Sequence, residues 1–117
     1  MSGYQDDPPI ILVKWNDFLD WLLPVTEKFP RHARFTLANR IDNLALDMVE
    51  DLVEARYSRK KQAILKNANL RLEKLRVLLR ISCKRHYLSV RGYEHAMRAI
   101  NGVGQMLGGW TKQQEMP

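Results

Sequence analysis

The sequence predicts an all-α protein, an antiparallel up-down-up-down four-helix bundle. Three observations carry that expectation. Apolar residues recur every three or four positions in four separate segments, the period of a helix with one buried face. The joints between those segments are short and marked by proline or serine. No stretch alternates apolar and polar residues with the period of a strand, and there is no internal repeat. At 117 residues, 45% of them hydrophobic, the chain has the size and the apolar content for one domain with a real core. Helices with short connections pack as antiparallel neighbours.

Residues 1–9 are expected to be a disordered leader, residues 10–112 the bundle, and residues 113–117 a frayed tail. The first helix should run from about residue 10 to Phe29 on the stripe Ile11, Trp15, Phe18, Leu22, Val25 and Phe29. Pro24 lies within it and should kink it near residues 20–23 by removing one backbone bond. Phe29-Pro30 ends it, because a residue before proline is pushed out of the helical region. Residues 30–35 are expected as a basic connection. Thr36 is then the N-cap of a second helix with the stripe Leu37, Ile41, Leu44, Met48, Leu52 and Ala55.

The pattern breaks at residues 57–61, where Ser58 can cap a third helix of about 61 to 86. Its core stripe is Ile64, Ala68, Leu72, Leu75, Leu79 and Ser82 or Cys83. Ser89 is the N-cap of the fourth helix, which should end near Trp110 and face inward with Tyr93, Ala96, Met97, Ile100, Val103, Gly104 and Leu107. Gly102, Gly104, Gly108 and Gly109 cost about 1 kcal/mol each in a helix. Close approach of a neighbouring helix is the expected compensation.

Charge is distributed unevenly. Residues 56–91 contain twelve Lys and Arg and one acid, Glu73, whereas residues 1–55 contain five bases and ten acids. One very basic helix joined to a mildly acidic remainder points to a polyanion or an acidic protein surface as partner. Arg76, Arg80 and Lys84 recur every four residues down one side of the third helix. Lys66, Arg85 and Arg91 extend the cationic set.

The third helix also carries a second apolar line opposite its core stripe: Ala63, Leu70, Val77, Ile81 and Leu88. An aligned exposed row implies a protein contact. The expected contact is an oligomer interface made by Leu70, Val77, Ile81 and Leu88, most simply self-association.

The search for catalytic chemistry returns little. Cys83 and His86 have a C-x-x-H spacing, but a structural zinc site needs four ligands. His32 and His95 have no partner motif. Asp6-Asp7 and Glu50-Asp51 are adjacent pairs, which point different ways and make no catalytic dyad. No strand precedes Gly102-Val103-Gly104, so it is not a phosphate-cradling loop. Neither an enzyme nor a cofactor is expected. The single cysteine fits a reducing cytosol, so a cytoplasmic location is expected. The apolar run 10–13 is too short for a signal peptide or a membrane span.

Several segments, in order, resemble the accessory variability determinant (Avd) proteins of diversity-generating retroelements. These are relatives of the four-helix-bundle proteins encoded in intervening sequences of bacterial 23S rRNA genes. The segments are Lys28-Phe29-Pro30-Arg31, Phe35-Thr36-Leu37, Leu75-Arg76-Val77-Leu78-Leu79-Arg80, Tyr87-Leu88-Ser89 and Gly104-Gln105-Met106-Leu107-Gly108-Gly109-Trp110. The resemblance implies a four-helix bundle in a positively charged pentameric barrel. Such a protein has no catalytic activity, binds the retroelement's reverse transcriptase and its template RNA, and supports error-prone cDNA synthesis. Arg76 and Arg80 are carried over from the matching segment; Lys66, Lys84, Arg85 and Arg91 come from the charge map. Two alternatives stand beside it. One is an intervening-sequence-type bundle protein with a ribosome-related role. The other is a small metal-binding helical enzyme resting on Cys83 and His86.

Overall fold

The computed structural model describes residues 9–115, all helix and short connections, with no strand among them. Its elements are α1 (Ile10–Glu27), α2 (Arg31–Ala33), a π-helical turn (Arg34–Ala38), α3 (Asn39–Tyr57), α4 (Lys61–Lys84) and α5 (Val90–Glu115). The four long helices close around one core: α1 packs on α3 and α5, and α4 packs on α3 and α5. The expected leader lies outside the described residues, apart from Pro9.

The apolar stripe of α1 is buried as its spacing demands, with Leu19 and Thr26 added and Val25 only half-buried. The helix runs unbroken through Pro24, which stands on the exposed side. The missing N–H is thereby lost where water can serve the orphaned carbonyl. Trp15 is fully buried, and its Nε1–H donates to the Ala45 carbonyl of α3 at 2.8 Å. Near the other end of α1, the Thr26 hydroxyl lies 2.7 Å from Asp42 Oδ1 and 3.1 Å from the Leu23 carbonyl.

The segment expected as a basic connection is helical instead. Pro30 caps α2, its carbonyl accepting from the Ala33 N–H at 2.8 Å. Proline's fixed φ suits a helix entry, and nothing in residues 31–35 breaks a helix, so the chain turns straight back into one. Thr36 is therefore no N-cap. It sits inside the π turn, its hydroxyl 3.4 Å from the Ala33 carbonyl. The π turn fits an extra residue, so Ala33 and Ala38, five positions apart, are both buried while Phe35 is 84% exposed. On α3, Ile41, Ala45, Met48, Leu52 and Ala55 form the buried face; Leu37 and Leu44 are half-buried.

Ser58 does not cap α4. Its Oγ accepts from the Lys60 N–H at 3.1 Å, and the helix begins at Lys61 with no side-chain cap. Lys61 turns back instead. Its Nζ donates to the carbonyls of Ala55, Arg56 and Ser58 at 2.6, 3.2 and 2.8 Å, placing positive charge on the negative end of α3. On α4, Leu65 is fully buried and Ile64 only half-buried, a small rotation of the expected stripe.

α4 stops at Lys84 in a Schellman turn. The N–H groups of His86 and Tyr87 donate to the carbonyls of Cys83 and Ser82 at 3.0 and 2.9 Å. His86 occupies the left-handed position there, with φ 65°. Ser89 caps α5 as expected, its Oγ accepting from the Gly92 N–H at 2.9 Å. α5 continues to Glu115, past the expected end near Trp110, because residues 111–115 contain no breaker; Thr111 donates to the Leu107 carbonyl at 2.9 Å. Residues 116 and 117 of the expected tail lie outside the described residues. Of the α5 glycines, Gly104 alone meets the neighbouring helix: a Cβ there would lie 3.4 Å from Arg76 Nη2 and 3.8 Å from Leu72 Cδ1. Gly102, Gly108 and Gly109 face open space, so close helix approach does not account for them.

Two outcomes follow. Burial raises the pKa of Asp42 above the usual carboxylate value, with Thr26's hydrogen bond opposing and the charge of Glu27 adding. In the window between the unfolded and the raised folded pKa, the native state holds more protons, so stability falls as pH rises through it. Asp42→Asn should flatten that part of the profile and raise stability at pH 7, measured by urea unfolding across pH. At the Schellman turn, His86→Gly relieves a left-handed penalty and should stabilise by about 0.5 kcal/mol after glycine's entropic cost, whereas His86→Val should destabilise by about 1 kcal/mol, both read by the same unfolding assay.

Candidate nucleic-acid and partner interface

The bases of residues 56–91 divide into two groups. Four are engaged within the fold. Lys61 caps α3, and Arg56 lies over the Tyr57 ring, 5.5 Å from its centroid. Arg71 reaches from α4 to α3, with Nε 2.5 Å from Asp51 Oδ2 and Nη1 3.4 Å from Asp47 Oδ2. Arg76 is bound to Glu73 and donates to Asn101 Oδ1 of α5 at 3.0 Å. The other eight, Arg59, Lys60, Lys66, Lys74, Arg80, Lys84, Arg85 and Arg91, are exposed and make no side-chain hydrogen bond or ion pair among the described residues.

The expected line Arg76-Arg80-Lys84 is therefore corrected at its first member. Arg76 is half-buried against α5, held by two side chains and covering the notch left by Gly104. Arg80 and Lys84 project freely. Lys66 shares their side of α4, about 27 Å from Lys84 at 1.5 Å per residue. Arg85 is the C-cap of α4. Arg91 stands elsewhere, lining the cleft between α1 and α5. Gln62 of α4 donates to the Gln114 carbonyl of α5, so the start of α4 lies beside the end of α5. Lys66 and Arg91 are thus at opposite ends of a molecule 47 Å long, and the six predicted residues do not form one patch.

The second apolar row is real over part of its length. Leu70, Val77 and Ile81 are 52, 58 and 39% exposed. Leu88 is not in it, being 4% exposed. The helix wheel does not extend past Lys84, because the Schellman turn reverses the chain. Leu88 folds under α5, where a Cβ on Gly92 would lie 3.0 Å from its Cδ1. Beside Val77 a depression of about 560 Å³ opens between α3 and α4, floored by Leu44 and Leu78 and rimmed by Arg40, Asp47, Glu73 and Lys74. The exposed row and this depression are contiguous through Val77. The cations Lys66, Arg80 and Lys84 lie on the α5 side of the row, and Lys74 on the α3 side.

Cys83 is a free, half-buried thiol, and His86 is exposed with a left-handed backbone beyond the end of α4. No group of three or more His, Cys, Asp and Glu among the described residues could hold a metal ion. None of the described helices is long and apolar enough to cross a membrane.

What the sequence reading missed is a second cationic cluster. Lys28, Arg91 and Arg98 line the cleft between α1 and α5 with Trp21, Tyr87 and His95. The spacing of Arg91, His95 and Arg98, at i, i+4 and i+7, was a visible signal for it.

Fold and surface together define a class: a small all-helical bundle that presents uncompensated cations on one long helix. The family model described as bAvd-like matches residues 9–114, and the chain belongs to that family. No curated protein and no solved structure matches the chain.

The division of the bases gives a direct test. Arg71→Met leaves the Asp51 carboxylate, 13% exposed, without its partner and should cost about 1–2 kcal/mol. Arg80→Met should change stability by less than about 0.5 kcal/mol. Paired denaturant titrations check both.

Proposed function

We propose that this chain is a non-catalytic accessory subunit of a diversity-generating retroelement, working in the cytoplasm as a homo-oligomer with the retroelement's reverse transcriptase and its template RNA. The family match over residues 9–114 carries the reading. The surface of α4 supports it. Free cations at Lys66, Arg80, Lys84 and Arg85 suit phosphates, which basic side chains neutralise with release of counterions. The adjoining row Leu70, Val77 and Ile81 suits a protein contact. Within each chain the helices follow an antiparallel up-down-up-down course, as the Gln62–Gln114 and Arg76–Asn101 pairs between α4 and α5 support. Assembly into a pentamer would repeat the α4 cations around a ring, and the polymerase and RNA would meet the charge of the oligomer.

The test has two arms. Light scattering on the purified protein should give a mass of several subunits, and Val77→Asp with Leu70→Asp should reduce it to the monomer with helicity retained. A monomeric native protein at micromolar concentration would sink the assembly. Arg80→Glu with Lys84→Glu should weaken template-RNA and reverse-transcriptase binding by more than about tenfold and lower the salt slope of RNA binding by about one per lost phosphate contact. Unchanged binding by that variant would remove the α4 surface from the reading.

A further inference from the structure

The cleft between α1 and the first turns of α5 has the features of a small-ligand site. Its volume is about 570 Å³, within the range of sites for small molecules. Lys28 at the C-cap of α1 and Arg91 and Arg98 from α5 surround it, and no carboxylate among the described residues lines it. None of these three side chains has a hydrogen bond or ion pair among the described residues. Three cations around one concavity repel each other and are relieved by an anion.

The walls are aromatic. The half-buried Trp21 ring lies 4.5 Å from the His95 ring at 47°, and Phe18 backs it at 5.9 Å. Tyr87 forms the other end. It is steadied by Phe29 at 5.9 Å and by a 2.9 Å hydrogen bond between its hydroxyl and His32 Nε2. Aromatic faces accept a flat heteroaromatic ring, and guanidinium groups fork phosphate oxygens. A simple anion would use the charge and leave the rings idle. Past His95 and Arg98 the cleft continues into a depression lined by both Lys14 and Asp17. Those two charges offset each other, so the surplus of positive charge that a phosphate would meet lies among Lys28, Arg91 and Arg98.

We propose that this cleft binds a phosphorylated nucleoside, with the base against Trp21 and His95 and the phosphate held by Lys28, Arg91 and Arg98. The nucleoside is either a free nucleotide or one unstacked residue of an RNA strand; the second source rests on the RNA-binding reading above.

Calorimetry on the full chain tests this with the four nucleoside monophosphates, ADP, pyrophosphate and a three-nucleotide RNA as probes. Saturable binding of a nucleotide probe is expected, with pyrophosphate weaker than ADP by at least about tenfold because it cannot stack. Binding of the mononucleotides identifies the free ligand; binding of the trinucleotide alone identifies the strand. Lys28→Ala with Arg98→Ala should lower the affinity by at least about tenfold, since two phosphate partners are gone. Both positions are exposed, and circular dichroism confirms that the variant is folded. Lys112→Ala, an exposed position at the far end of α5, should leave the affinity unchanged. No saturable binding of any nucleotide, equal affinity for pyrophosphate and ADP, or indifference to Lys28→Ala with Arg98→Ala would each overturn the site. Loss of long-RNA binding on substitution of Arg80 and Lys84 is read separately, so either reading can fail alone.

Discussion

The buried bond from Trp15 to the Ala45 carbonyl is the fixed point of the architecture. Tryptophan is the largest side chain in the core, and its N–H cannot be left unpaired without a desolvation cost. One acceptor in reach sets both the rotation and the height of α1 on α3. With α1 fixed there, Phe18 and Leu22 close the core, and Trp21 and Lys28 are turned toward α5. The apolar contacts elsewhere tolerate sliding more readily than a hydrogen bond of 2.8 Å does.

Electrostatics then decides which charges belong to the fold and which to its partners. Ten acids in the first half and twelve bases in residues 56–91 invite a simple pairing of halves, but the structure uses few of them so. Among the described residues, Arg71 alone bridges α4 to two α3 carboxylates. Lys61 is directed to carbonyls and Arg76 to a neighbour on its own helix and an amide on the next. Arg56 lies over the Tyr57 ring, and the other eight are left in water, where their mutual repulsion is screened but not cancelled. A helix with that surplus is stabilised by any polyanion that binds it.

Much of the fold was legible because helix patterning is local. The stripes of α1, α3 and α4, the Ser89 cap and the proline boundary at Phe29 all depend on near neighbours in the chain. The failures have a common origin. Thr36 looked like a cap because residues 30–35 read as a basic connection opened by a proline, yet Pro30 suits a helix entry and nothing after it opposes a helix. Leu88 fell on the wheel of α4, but a histidine in the left-handed region ends that helix four residues earlier, and sequence patterns favour glycine or asparagine for that position. Arg76 looked free because its partner Asn101 lies on another helix. The α1–α5 cleft was invisible for the same reason: Lys28 and Arg98 are seventy residues apart, and only packing brings them to one cavity.

The π turn at residues 34–38 sets a phase. An α-helix rotates about 100° per residue, so one residue of surplus offsets everything before it by roughly that angle relative to α3. Deleting one residue there would leave α3 in place and swing Arg31 and His32 around the axis, away from Tyr87. The hydrogen bond between His32 and Tyr87, and with it the end wall of the α1–α5 cleft, is therefore indexed to chain length in this turn as well as to the identity of the residues.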